Sequence, residues 1–124
     1  PILSHPALQG SYVLHPEGGI SPYALFGQLA RLAGADASIY PNYGGRFAFS
    51  QAECASIVQG CRVPMGNIRP ILPCPGGGMS LSRIPELLRF YGRDVIFLIG
   101  GGLLEYGPDV VENCRIFRRL VEAR

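Results

Sequence analysis

Short apolar runs alternate with amphipathic stretches in this chain, and glycines follow each run; that alternation restricts the fold more than any other feature. Ala37 to Pro41 leads into Asn42-Tyr43-Gly44-Gly45-Arg46. Arg69 to Cys74 leads into Pro75-Gly76-Gly77-Gly78, and Val95 to Ile99 into Gly100-Gly101-Gly102. Between the runs the apolar spacing is helical. Ser21 is a cap with Pro22 at the first helical position, and Leu25, Phe26, Leu29, Leu32 and Ala33 form a stripe that Gly34 closes. A second helix is expected from Ser50 as cap to about Gln59, where Gly60 stops it. A third runs from about Ser82 to Tyr91, with Gly92 as its C-cap. The last spans about Asp109 to Ala123, with Val110, Cys114, Phe117 and Val121 on one face.

Apolar strands separated by amphipathic helices form a parallel sheet, because each crossover helix covers a sheet face. The fold class is therefore α/β, with parallel strands and flanking helices. The two glycine triplets start 24 residues apart, and Gly44 lies 32 before Gly76. An eight-unit barrel of about 250 residues allows roughly 31 per unit, so the spacing fits a TIM (β/α)8 barrel. A doubly wound sheet satisfies the same alternation. Residues 1–124 hold three to four units, which is the C-terminal half of such a barrel. Opening on Pro1 and passing at once into an apolar segment, the sequence reads as a piece of something longer, with its N-terminal part missing.

Composition excludes several chemistries. All eleven basic residues are Arg, so this chain offers no Schiff-base, P-loop or carbamylated lysine. The net charge of +2 implies no nucleic-acid partner, and no apolar run is long enough for a membrane span. Cys54, Cys61, Cys74 and Cys114 form no Cys-x-x-Cys pair, and only His5 and His15 are available to join them, so no metal site is expected within these residues. Buried free thiols in a reducing cytoplasm are the expectation.

Barrel sites lie at the C-terminal ends of the strands, and phosphate is commonly held after the last two. Those positions carry Gly76-Gly77-Gly78 and Gly100-Gly101-Gly102, where bare backbone N–H groups near a helix start can cradle an anion. Arg46, beside Gly44-Gly45, is placed to close over a phosphate or a developing oxyanion; a solvated loop arginine is the alternative. His5 follows Ile2-Leu3-Ser4, a strand end, and is a candidate acid/base; a frayed terminal histidine is the alternative. His15 is read as surface, Asp36 as a turn or capping residue, and Tyr40 and Tyr43 as packing, with substrate contact as the alternative. Arg115, Arg118 and Arg119 form a solvated helix face.

The run from Gly34-Ala35-Asp36 through Tyr40-Pro41-Asn42-Tyr43-Gly44-Gly45-Arg46-Phe47, then Pro75-Gly76-Gly77-Gly78-Met79 with Pro85, then Ile99-Gly100-Gly101-Gly102, resembles the C-terminal part of the RuBisCO large-subunit superfamily. More narrowly it resembles the RuBisCO-like, non-carboxylating branch. The resemblance implies that Gly77, Gly78, Gly100 and Gly101 bind the substrate phosphate. His5 falls on the family's strand-five histidine, and Arg46 where carboxylating members place a mobile-loop lysine. Pro6, Ile39 and Gly76 stand where those members have arginine, histidine and serine, so CO2 fixation is not expected. The resemblance further implies Mg2+, with ligands outside this sequence, and proton abstraction beside a carbonyl of a small sugar or thiosugar phosphate. Tautomerisation, isomerisation and decarboxylation are all open outcomes. It also implies an oligomer, expected as a homodimer. The rival expectation is a non-catalytic fragment that only binds phosphate or packs in an assembly.

Overall fold

The computed structural model of the chain describes residues 1–13, 15, 17–47 and 49–123. Three parallel strands lie side by side in chain order, β1 (Leu3–Ser4), β2 (Ala37–Pro41) and β3 (Leu72–Gly76). Leu3 stands opposite Ala37, and Ala37 opposite Leu72, with Pro41 reaching Gly76 at the far end. Parallel pairing puts the C-terminal ends of all strands on one edge. Side chains alternate across the sheet, so Ser38 and Tyr40 turn to one face. That face is covered by helices, and Tyr40 is fully buried there with Ile57, Ile84, Leu87 and Tyr91. Each such aliphatic side chain contributes roughly 1.5–3 kcal/mol of burial. The opposite face carries Leu3 and Leu72, about half and two-fifths exposed.

The strand Ala37–Pro41 has the bounds its sequence implies, but the next one is shifted. The expected Arg69 to Cys74 strand is instead Leu72–Gly76, because Ile68 and Arg69 give their carbonyls to a side chain rather than to a ladder. The run at residues 95–99 forms no named strand among the described residues; beside β3 it makes an isolated parallel bridge between Gly76 and Leu98. Ile96 and Leu98 donate to the carbonyls of Pro73 and Pro75 at 3.0 and 3.1 Å. In a parallel ladder the returning bond to residue 96 needs the N–H of residue 75, and proline has none.

The helix after Ser21 departs from the expected register. It is a π-helix over Tyr23–Leu29 that continues as α2 (Ala30–Leu32). The wider π turn moves the inward face to Phe26, Gly27, Ala30 and Arg31, leaving Leu29 and Leu32 of the expected stripe exposed. A short helix precedes it, α1 (Gly10–Val13).

Helix α3 (Gln51–Arg62) starts as expected at Ser50, whose hydroxyl accepts from the Glu53 N–H while the Glu53 carboxylate accepts from the Ser50 N–H. It does not stop at Gly60. Gly60 is buried, and a β-carbon there would strike the Tyr23 carbonyl oxygen; one on Gly27 would lie 2.6 Å from the Gly60 carbonyl carbon. The glycine permits two helices to touch backbone to backbone. Gly60→Ala should therefore destabilise the protein by about 1–3 kcal/mol of overpacking, offset by about 1 kcal/mol of helix propensity. A raised urea midpoint for this variant would show that the helices have room between them.

A 3-10 turn (Leu81–Arg83) leads into α4 (Ile84–Tyr91), which buries Ile84, Leu87 and Tyr91 and ends at Gly92 with φ +78°. The last glycine triplet opens a helix of its own, α5 (Gly101–Leu104). Asp109 caps α6 (Val110–Glu122) through Val111 and Glu112. The expected face of α6 holds in its second half, where Phe117 and Val121 pack against the core, and is corrected in its first: Val110 and Cys114 are exposed, and the buried residue is Asn113. Its amide donates to the carbonyls of Leu103 and Gly107 at 2.8 and 3.0 Å, fastening α6 to α5.

Cys54, Cys61 and Cys74 are fully buried free thiols. Burial pushes Cys61 and Cys74 up to about 11, so they stay protonated and unreactive at neutral pH. Among the described residues no helix is long and apolar enough to cross a membrane.

Candidate functional site at the C-terminal strand ends

His5, Arg46, the Gly77-Gly78 turn and Gly100-Gly101 all follow strand ends or, for Gly100, the run paired with β3, so the parallel topology sets them along one edge. His5 and Arg46 are both exposed there. What the fold brings into contact is the backbone of the glycine loops. A β-carbon on Gly78, whose φ is +63°, would lie 2.6 Å from the Gly45 α-carbon, and one on Gly45 would lie 3.0 Å from the Gly77 carbonyl carbon. One on Gly102 would strike the Met79 carbonyl oxygen. At these glycines the loops after β2 and β3 and the start of α5 thus pack backbone against backbone. By contrast, no atom lies within 4 Å of a β-carbon built on Gly77 or Gly100, so both glycines border open space.

The loop after β2 is anchored at its root. Asn42 is buried; its N–H donates to the Gly76 carbonyl at 2.8 Å, and its amide accepts from the Tyr91 hydroxyl at 2.6 Å. The amide nitrogen also donates to the Met79 sulfur at 3.3 Å. Tyr43, next in the loop, is buried against Phe90 with ring centroids 5.0 Å apart. Its hydroxyl donates to Glu86 Oε1 at 2.8 Å. Burial, then the bond to Glu86, raises the Tyr43 phenol, while the same bond and Arg83 hold the Glu86 carboxyl below its ordinary value.

Sequence reasoning placed Tyr43 correctly as packing but overlooked Arg83, Asn42 and Glu86. One signal was available. Arg83 directly precedes α4, and a cation at a helix N-terminus opposes the helix dipole, so its presence there needs another cause. Asp36, expected as a turn or capping residue, lies at the bend before β2, and its carboxylate instead accepts from the Ile2 N–H at 2.6 Å, tying the start of β1 to that of β2. Among the described residues no three His, Cys, Asp or Glu side chains assemble into a metal site.

No family model matches the chain. It is 44% identical over 116 residues to ribulose bisphosphate carboxylase-like protein 1 of Rhodopseudomonas palustris, a match covering 94% of this chain and 30% of that protein. It is 46% identical over 114 residues to the 5-methylthioribulose-1-phosphate isomerase of Rhodospirillum rubrum, covering 92% of this chain and 29% of the relative. The structure superposes on a RuBisCO-like protein (MtnW) from Alicyclobacillus acidocaldarius with a TM-score of 0.88 at 32% identity, over 99% of this chain and 31% of that one. This chain belongs to the RuBisCO-like protein family. It spans about three-tenths of the length of the curated relatives it matches. The parallel α/β unit described above is accordingly a segment of a RuBisCO-type barrel. Within this RuBisCO-like segment, the loops after β2 and β3 and the start of α5 form the candidate site.

Proposed function

We propose that this chain is the C-terminal barrel segment of an enzyme that enolises a small sugar or thiosugar phosphate, without fixing CO2. The supporting observation is the backbone-on-backbone packing of the loops after β2 and β3 and the start of α5, with Gly77 and Gly100 bordering open space. Glycine N–H groups there suit the phosphate, with Gly78 and Gly101 beside them. The relatives include proteins named 5-methylthioribulose-1-phosphate isomerase and 2,3-diketo-5-methylthiopentyl-1-phosphate enolase, which act on phosphorylated carbonyl compounds by name. Arg46, exposed on the loop after β2, closes over the phosphate or the enolate oxygen. His5 moves a proton at the carbon beside the carbonyl or at the oxygen. Mg2+ does not fit the residues present: no three candidate ligands meet among those described, so no step in this segment runs through it. The family resemblance places its ligands elsewhere in the complete protein, which is expected to be a cytoplasmic homodimer.

The test is solvent exchange. In D2O the complete protein should exchange the hydrogen beside the carbonyl of 5-methylthioribulose 1-phosphate or of 2,3-diketo-5-methylthiopentyl 1-phosphate, followed by NMR. No exchange with either compound, together with no saturable phosphate binding, would favour a non-catalytic role. Arg46→Ala should lower kcat/KM by about 10–100-fold, the range for a lost charge-assisted hydrogen bond. Unchanged kinetics would take Arg46 out of the site.

A further inference from the structure

We infer that Arg83 is a positioning residue: it joins the loops after β2 and β3 and so sets the phosphate seat, without touching the ligand. The inference rests on the proposed reading of those glycine loops. Arg83 closes the 3-10 turn before α4, and its side chain is 24% exposed. Nη1 donates to the Gly78 carbonyl at 2.9 Å and to the Tyr43 carbonyl at 3.3 Å, one acceptor from each loop. Nη2 donates to Glu86 Oε1 at 3.5 Å, and the guanidinium carbon stands 5.1 Å from the Tyr43 ring centroid. Tyr43 in turn bonds the same Glu86 oxygen. The planar fork is therefore held on its face by an aromatic ring and on its edge by a carboxylate, an arrangement lysine cannot reproduce.

The consequence lies in the peptide planes. A trans peptide points its C=O and N–H in opposite directions. Drawing the Tyr43 and Gly78 carbonyls onto Arg83 therefore turns the N–H groups of Gly44 and Met79 away from it. Gly44 fits the same scheme, since a β-carbon there would sit 3.2 Å from Nη1 and crowd the guanidinium. Without Arg83 the loops keep the Asn42 bonds to Gly76 and Met79 at their roots, but Tyr43 and Gly78 lose their shared hydrogen-bond donor, and the phosphate turn is no longer tied there to the loop carrying Arg46. Its hydrogen bonds go to backbone carbonyls and Glu86, which is what separates positioning from ligand contact.

The experiment titrates the complete protein with inorganic phosphate and measures its kinetics. Arg83→Gln should weaken phosphate binding and raise KM by about tenfold, while kcat falls by less than about threefold, the pattern of lost uniform binding. Tyr43→Phe, which keeps the ring and removes only the bond to Glu86, should move KM the same way by about threefold with the melting temperature unchanged. Arg83→Ala should recover phosphate affinity in added methylguanidinium. If Arg83→Gln does not fold, Tyr43→Phe and the methylguanidinium response decide alone. Wild-type protein that binds no phosphate would overturn the reading of the glycine loops. Wild-type binding with an unaltered Arg83→Gln variant would overturn the positioning role alone. A loss confined to kcat would overturn it too, placing the guanidinium on the reacting atoms.

Discussion

Arg31→Met is expected to lower stability by about 3–5 kcal/mol, read as a fall in the denaturation midpoint of the complete protein. Arg31 is 3% exposed, and no carboxylate pairs with it among the described residues. Its guanidinium is instead surrounded by backbone carbonyls. Nε donates to Arg69 at 3.1 Å, Nη1 to Gly60 and Val63 at 3.1 and 2.6 Å, and Nη2 to Ile68 at 3.0 Å. Gly60 sits in the last turn of α3, where the carbonyls carry the negative end of the helix dipole, so a buried cation is matched by partial charges rather than by an ion. Methionine fills similar space but leaves these acceptors unpaired, the Gly60 carbonyl in a buried setting. Unmade bonds to buried groups cost about 1–3 kcal/mol each, and the more accessible ones take up water. Lysine should recover less than half, since one ammonium cannot span acceptors from both α3 and the loop before β3. Hydrogen exchange locates the effect: the Val63 and Ile71 amides, bonded to Gln59 and Cys61, should lose protection first. A loss under about 1 kcal/mol would mean that water serves these carbonyls as well as Arg31 does.

Arg31 also marks where the sequence stopped being readable. Ser50 and Glu53 announce the start of α3 because a capping box is a local arrangement, three residues apart. Gly60 was read locally as well, as a terminator, and its role proved to be a helix crossing set by Tyr23 and Gly27, more than thirty residues upstream. The stripe at Leu25, Phe26, Leu29, Leu32 and Ala33 assumed 3.6 residues per turn. The π turns break that period, so a buried Arg and two exposed Leu exchanged places with expectation. Strand Ala37–Pro41 was legible because its burial and its flanking Asp36 and Asn42 all agree. The edge run at residues 95–99 looked equally strand-like, but its pairing depends on prolines of a different segment. At the candidate site, glycines after strands pointed to the right edge, whereas the Arg83, Tyr43 and Glu86 cluster depends on side chains meeting across two loops and a helix. The i,i+3 spacing pairs Arg83 with Glu86, but no spacing rule within one segment reports their meeting with Tyr43.

On the proposed reading of the glycine loops, Gly78→Ala should be the most damaging change at the candidate site, lowering kcat/KM of the complete protein on the order of 10²–10³-fold. Two costs combine. The φ of +63° is left-handed, which costs an alanine roughly 1–2 kcal/mol. The methyl would also press on the Gly45 α-carbon from 2.6 Å, and on the Gly44 carbonyl oxygen from 2.9 Å. Backbone cannot swing aside as a side chain can, so the loop carrying Arg46 must move, and a displacement near 1 Å at a reacting centre is worth about 10²-fold. Gly77→Ala separates the two costs. Its φ of +85° imposes the same kind of strain, but its methyl enters open space and touches no loop. That variant should lose affinity for inorganic phosphate by about tenfold while keeping Arg46 in place, so that kcat falls far less than in Gly78→Ala. If both variants lose kcat equally, strain alone explains the damage and the contact between the two loops is incidental. A larger loss in Gly78→Ala, with its loop displaced in a structure of the variant, would show that the distance between the glycine loops is what the chemistry depends on.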